Sequence, residues 1–190
     1  MTAQQSTQLL PTLFDDLDTD RCIHVLHLGP ALPETVEFFS GYRCKLYFTD
    51  PFPELPLQPD PERDVTLRDR VASVFELPAG AQFDLCLFWD LLNYLGEEGV
   101  SLLCEQLQPH IGPHTRAHGF GVHNPRSPQR DCRFSILARD SLRVRERPVR
   151  LVGYAPLSQT RLKSALGCFE MKRSVLLADG RLEMLLGARS

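Results

Sequence analysis

The stretch Cys22–Thr35 (CIHVLHLGPALPET), followed by Lys45–Asp50 (KLYFTD), most constrains what this chain can fold into. Its apolar run, Ile23, Val25, Leu26 and Leu28, has the pattern of a strand buried on both faces of a parallel sheet. Gly29-Pro30 stops that strand. Pro33-Glu34 then opens a helix, because proline is tolerated in a first turn and Glu34 and Glu37 suit its positive end, and Gly41 closes it. Leu46–Thr49 supplies a second strand that ends at the carboxylate Asp50. Strand, turn, helix and strand in this order make the opening unit of a nucleotide-binding α/β sheet. The turn carries one glycine where a cofactor loop usually carries three.

Five prolines between Pro51 and Pro61 forbid regular structure, so an extended loop leaves the second strand in a position to cover a ligand. A short helix over Asp64–Arg70 and a weak strand over Val71–Phe75 are expected next. Phe83–Phe88 is the second strong apolar strand. Trp89–Leu95 turns into a helical pattern that continues through Val100–Leu107 and stops at Pro109, Gly112 and Pro113. Ala117–Val122 reads as a fifth strand, and His123–Pro148 as a polar insertion with one strand, Cys132–Leu137. Ser158 caps a helix Gln159–Leu166 ended by Gly167. Asp179-Gly180, between the apolar runs Phe169–Leu177 and Leu182–Gly187, marks a hairpin. Alternating strands and helices that close in this way predict a doubly wound, mainly parallel sheet with its last strand reversed.

At 190 residues the chain suits one domain, with residues 1–21 as a lead-in and 123–150 as an insertion. The lead-in holds Asp15, Asp16, Asp18 and Asp20 but no basic residue before Arg21, and no apolar run reaches membrane-spanning length. Neither a signal peptide nor a transmembrane helix is therefore expected, and a cytoplasmic location follows. The six scattered cysteines form no CxxC pair and read as reduced, mostly buried thiols. A net charge of −3 hides an asymmetry: residues 1–100 carry 17 acidic and 6 basic side chains, residues 101–190 carry 7 and 15. The halves should attract each other, and the basic half is also suited to an acidic partner.

The order of elements over residues 22–190 resembles that of the class I S-adenosylmethionine (SAM)-dependent methyltransferases. VLHLGPALPE stands where that family has its first motif, YFTD resembles the second and SVFELP the third. FDLCLFWDLLNYL resembles the fourth, and LGCFEMKRSVLLADGRLEMLL the closing hairpin. The resemblance implies a seven-stranded sheet of order 3-2-1-4-5-7-6, SAM as cofactor, and cofactor contacts from Gly29, Asp50, Ser73, Trp89 and Asp90. The family's acidic residue at the end of the first strand is His27 here, and two of its glycine positions are Ala31 and Pro33. Proline has no N–H to donate and alanine adds a β-carbon where close approach is needed, so the loop is impaired.

Asp50 has the placement to accept both hydroxyls of a ribose, although TDP also simply begins a turn. Ser73 stands at the family's adenine-side acidic position, with Glu76 as a substitute. Asp50, Trp89, Asp90, His123 and Asn124 all follow expected strands and should gather on one rim, with His123 and Asn124 facing a substrate. Trp89 suits stacking on a flat ligand or a place in the core, and His123 suits a general base or an ordinary surface position. No metal site is expected, because Gly112 and Pro113 break the helix that would align His110 with His114. Arg143, Arg145 and Arg147 share one face if extended and would meet a small molecule or an acidic protein. Nucleic acid is disfavoured there, because only Phe134 offers a stacking ring among the arginines. Two readings stay open: a SAM-dependent methyltransferase of unknown substrate, or a methyltransferase-like pseudoenzyme that serves as an interaction or regulatory module.

Overall fold

The computed structural model describes residues 2–15, 17–18 and 20–189, so Asp16 of the acidic lead-in lies outside the described residues. The lead-in carries two elements that its sequence did not announce, β1 (Thr2–Ser6) and α1 (Leu10–Asp15). The first βαβ unit then forms as expected: β2 (Ile23–Leu28), α2 (Pro33–Ser40) with Pro33 in its first turn, and β3 (Cys44–Thr49). The expected strand over Val71–Phe75 does not exist. Its residues belong to α3 (Leu67–Val74), which starts on a capping box in which Thr66 and Asp69 satisfy each other's backbone N–H groups. β4 (Phe83–Trp89), α4 (Gly96–Leu107) and β5 (Ile111–Val122) follow.

β5 begins earlier than its apolar core suggests. Phe83 pairs with Ile111 but Leu85 with Arg116, so the intervening residues bulge out. The bulge closes on Thr115, whose hydroxyl accepts from Gly112 N–H at 2.9 Å and donates to the Phe83 carbonyl at 2.6 Å.

The arginine-rich insertion contains a hairpin rather than a single strand, β6 (Cys132–Ala138) and β7 (Ser141–Glu146). β1 pairs antiparallel with β7, making a separate three-stranded sheet. The chain closes with α5 (Gln159–Ala165), β8 (Phe169–Leu176) and β9 (Arg181–Ala188). Gly180, at φ 85°, makes the expected tight turn between the last two strands.

The main sheet therefore has six strands, not seven, in the order β3-β2-β4-β5-β9-β8. Without a strand at Val71–Phe75, β3 is the edge, and only β9 runs against its neighbours. One face of this sheet, with Leu26, Leu28, Cys86 and Phe88, packs against α3, α4 and α5. The other face, with Val25, Leu85, Leu87, Trp89 and Phe120, packs against α1, α2 and the small sheet. Each large side chain fully buried in these layers contributes about 1.5–3 kcal/mol.

One polar clamp fixes the lead-in to the second face. Glu183 of β9, fully buried, accepts from Gln8 N–H at 2.9 Å, from Leu9 N–H at 3.0 Å and from the Thr7 hydroxyl. His118 Nε2 lies 2.9 Å from the same carboxylate. Burial pushes the Glu183 pKa up, but these donors, His118 first, outweigh it and hold the group at about 2. Among the described residues no helix is long and apolar enough to cross a membrane.

Candidate functional site

Gly29 follows β2 and Asp50 follows β3, so both stand at the carboxyl ends of parallel strands, where open α/β sheets place ligands. The two ends of this rim are built differently. At the Gly29 end, the chain's own side chains stand in van der Waals contact with the turn. A β-carbon built on Gly29 would lie 3.4 Å from His27 Cε1 and 3.6 Å from Trp89 Cδ1. Trp89 Nε1 donates to His27 Nε2 at 3.0 Å. The indole is stacked on Phe134, with centroids 5.6 Å apart and planes 10° apart, and Phe134 in turn on Phe120.

Trp89 is 2% exposed and sits at φ 51°. A bulky residue in that left-handed region costs on the order of 1–3 kcal/mol, which burying its ring offsets. Trp89 is thus a core aromatic. His27 is buried beneath it, its Nδ1 has no partner, and burial pushes its pKa down to about 4, so the ring is neutral near pH 7.

The Asp50 end is open. Asp50 accepts from Phe52 N–H at 3.3 Å through Oδ1 and lines a cavity of about 410 Å³ with Pro30, Phe52, Arg133, Arg147 and Arg150. The Arg147 guanidinium lies over the Phe52 ring, 3.8 Å from its centroid, and its Nε donates to the Cys132 carbonyl at 3.0 Å. Burial lowers the Arg147 pKa, while Asp90 and Asp50 act in the opposite direction. Partial burial raises the Asp50 pKa, and Arg147 and Arg133 pull against it.

A strap from Arg147 to Leu157 carries the chain from β7 across this end to α5. It is tied down by Ala155 N–H to the Asn93 carbonyl at 2.9 Å. It also passes so close to the proline loop that a β-carbon on Gly153, at φ 84°, would meet Pro56 Cβ at 2.8 Å.

Asp90 follows β4, on the far side of β2 from Asp50. It is buried, neither carboxylate oxygen has a partner among the described residues, and burial pushes its pKa up to about 7, against the pull of Arg147 and Arg181. With Tyr94, Cys132, Phe134, Tyr154 and Arg181 it lines a narrow enclosed space.

The other expected site residues do not line the cavity at Asp50. Ser73 is exposed on α3, with Glu76 exposed just beyond it, because the strand that would have carried Ser73 to the rim is a helix. His123 and Asn124 are exposed in the turn after β5, where Asn124 Oδ1 accepts from Arg126 N–H at 2.9 Å. Arg143 and Arg145 do share a face of β7, but that face meets Glu34 in the first turn of α2. Arg143 Nη1 donates to Glu34 Oε1 at 2.7 Å and Arg145 forms a second ion pair with the same carboxylate. The Arg145 hydrogen bond, helped by Arg143, outweighs burial, which acts upward, and holds the Glu34 pKa at about 2. No three His, Cys, Asp or Glu side chains converge as a metal site among the described residues. Phe52 lines the site although sequence reasoning did not single it out, and Phe134, noted there only as a ring among arginines, packs on Trp89. The only signal for Phe52 was an aromatic ring two residues after Asp50 in a run of prolines.

No protein-family model and no curated protein matches the sequence. The fold matches solved methyltransferases. The chain overlays the Burkholderia thailandensis 1,6-didemethyltoxoflavin-N1-methyltransferase, solved with 1,6-didemethyltoxoflavin and S-adenosylhomocysteine, at a TM-score of 0.54 and 16% identity, covering 90% of this chain and 73% of that one. The N-methyltransferase NodS from Bradyrhizobium japonicum gives 0.52 and 12%, covering 95% and 94%. The glycopeptide N-methyltransferase MtfA, complexed with SAM, gives 0.51 and 12%, covering 94% and 92%. Against the pyocyanin biosynthetic protein PhzM the chain spans 54% of the longer partner. The shared feature is the class I SAM-dependent methyltransferase fold with a mixed sheet.

Proposed function

We propose that this protein keeps the methyltransferase fold without methyl transfer and works as a binding or regulatory module. The observation that carries this reading is the packing at Gly29. In the resembled family the glycine turn after the first strand lets the backbone approach the methionine part of SAM. Here His27 and Trp89 stand against that turn and Phe134 covers the indole. Moving Trp89 aside would expose a ring that is 2% exposed and break its hydrogen bond, at a cost of several kcal/mol. At the other end the cavity presents three guanidinium groups to a cofactor that is itself a cation. These residues do not fit SAM.

Titration calorimetry of the full chain with SAM and with S-adenosylhomocysteine tests the reading. No saturable heat is expected from either. Micromolar binding of either compound would overturn it, and Asp50→Ala should then weaken that binding about tenfold if Asp50 holds the ribose.

A further inference from the structure

Several arginines of the second half are committed to carboxylates. Arg130 pairs with Asp179, Arg139 with Asp15, Arg143 and Arg145 with Glu34, Arg161 with Glu97, and Arg181 with Asp179. Arg126, Arg133, Arg147, Arg150, Arg173 and Arg189 show no ion pair among the described residues, and of these Arg133, Arg147 and Arg150 line the cavity at Asp50. Among the described residues, Arg133 Nε is buried without a hydrogen-bond partner, an unusual state for a group that donates strongly. Among the same residues Arg147 donates through Nε, to the Cys132 carbonyl, and is held flat on Phe52, so its fork is fixed in place. Asp50, the single carboxylate of the lining, uses Oδ1 for the Phe52 N–H and leaves Oδ2 without a protein donor among the described residues.

Three cations against one anion make this cavity attractive to an anionic ligand. Guanidinium forks match the geometry of a phosphate, and a carboxylate beside them matches a pair of hydroxyls. Phe52, Pro53, Leu55 and Leu151 supply an apolar wall, and a volume of about 410 Å³ suits a ligand of mononucleotide size. We infer that the cavity under the strap binds a nucleoside 5′-monophosphate, with Asp50 accepting from the ribose hydroxyls and Arg133, Arg147 and Arg150 holding the phosphate. The inference rests on the rim having given up SAM, and it names what that rim recognises instead.

The test is calorimetry on the full chain at low ionic strength with AMP, GMP, CMP and UMP, and separately with adenosine, inorganic phosphate and SAM. At least one mononucleotide is expected to bind, more tightly than adenosine or inorganic phosphate. Arg133→Gln should weaken it about tenfold. Arg150→Gln should weaken it by a smaller factor, and because Arg150 is exposed this variant tests the site even if Arg133→Gln fails to fold. Asp50→Asn should weaken the mononucleotide and leave inorganic phosphate unchanged. Binding of no mononucleotide by the folded protein overturns the inference and leaves the SAM-free reading standing. Inorganic phosphate binding as tightly as every mononucleotide also overturns it, as a bare anion site. Saturable SAM binding instead brings down the reading on which it rests.

Discussion

The two ends of the rim begin from the same kind of strand end and reach opposite outcomes. After β2, the turn at Gly29 is met by an imidazole and an indole, with a phenyl ring stacked on the indole and all three buried. After β3, the carboxylate remains on a cavity, and the cations around it come from the insertion rather than from the βαβ unit. Filling one end required only side chains already on neighbouring strands. The arginines at the other come from a segment about ninety residues further along the chain, so a methyltransferase fold is able to carry a changed site without a changed frame.

The largest effect that would break this comparison comes from Trp89. Trp89→Ala should lower stability by about 3–5 kcal/mol in urea denaturation, since it removes a fully packed ring and leaves a cavity. A loss below about 1 kcal/mol would mean that the Gly29 end is not filled as described.

Next come two buried groups that titrate in opposite senses. The Asp90 pKa is about 7 in the folded protein against 3.8 ordinarily, so between those values only the folded form holds the proton and stability falls as pH rises. The His27 pKa is about 4 against 6.5, so stability falls as pH drops through that window. Asp90→Asn should therefore flatten the slope toward neutral pH and leave the protein more stable than the parent at pH 8, by about 1–4 kcal/mol. His27→Gln should flatten the acid side. Denaturation midpoints measured from pH 4 to 8 check both, and an unchanged profile for Asp90→Asn would show that its carboxylate is not desolvated.

A smaller effect sharpens the view of the insertion. Replacing Arg143, Arg145 and Arg147 together with glutamine removes both ion pairs to Glu34 and the guanidinium on Phe52, costing about 2 kcal/mol, or roughly 4–8 °C in Tm. An unchanged Tm together with lost recovery of an acidic partner in a pull-down would make this face a recognition surface instead. At the bottom of the scale, Ser73→Ala and His123→Ala should each stay within about 0.5 kcal/mol of the parent, since both residues are exposed.

The first βαβ unit and the closing hairpin were legible because their signals are local: an apolar run, a proline in a first turn, an Asp-Gly pair. The segment after Thr66 was misread at Val71–Phe75 although its capping box was present, since a short apolar pattern does not distinguish a helix end from a strand. β7 hid behind its charges. Its alternation of Leu142 and Val144 with Arg143 and Arg145 is that of a strand with one face on the core and the other on Glu34. β1 is polar throughout and exists by pairing with β7, a contact across more than a hundred residues that no local pattern reports.

By itself, the sequence determined the α/β frame, the direction of its last strand, and the position of Gly29 and Asp50 at strand ends, because periodicity and turn chemistry act between near neighbours. Only the tertiary structure decided which arginines are paired, which rings fill the Gly29 end and which cations surround Asp50. Those outcomes depend on distances between segments far apart in the chain, and burial and pairing of charge have no meaning until the segments meet.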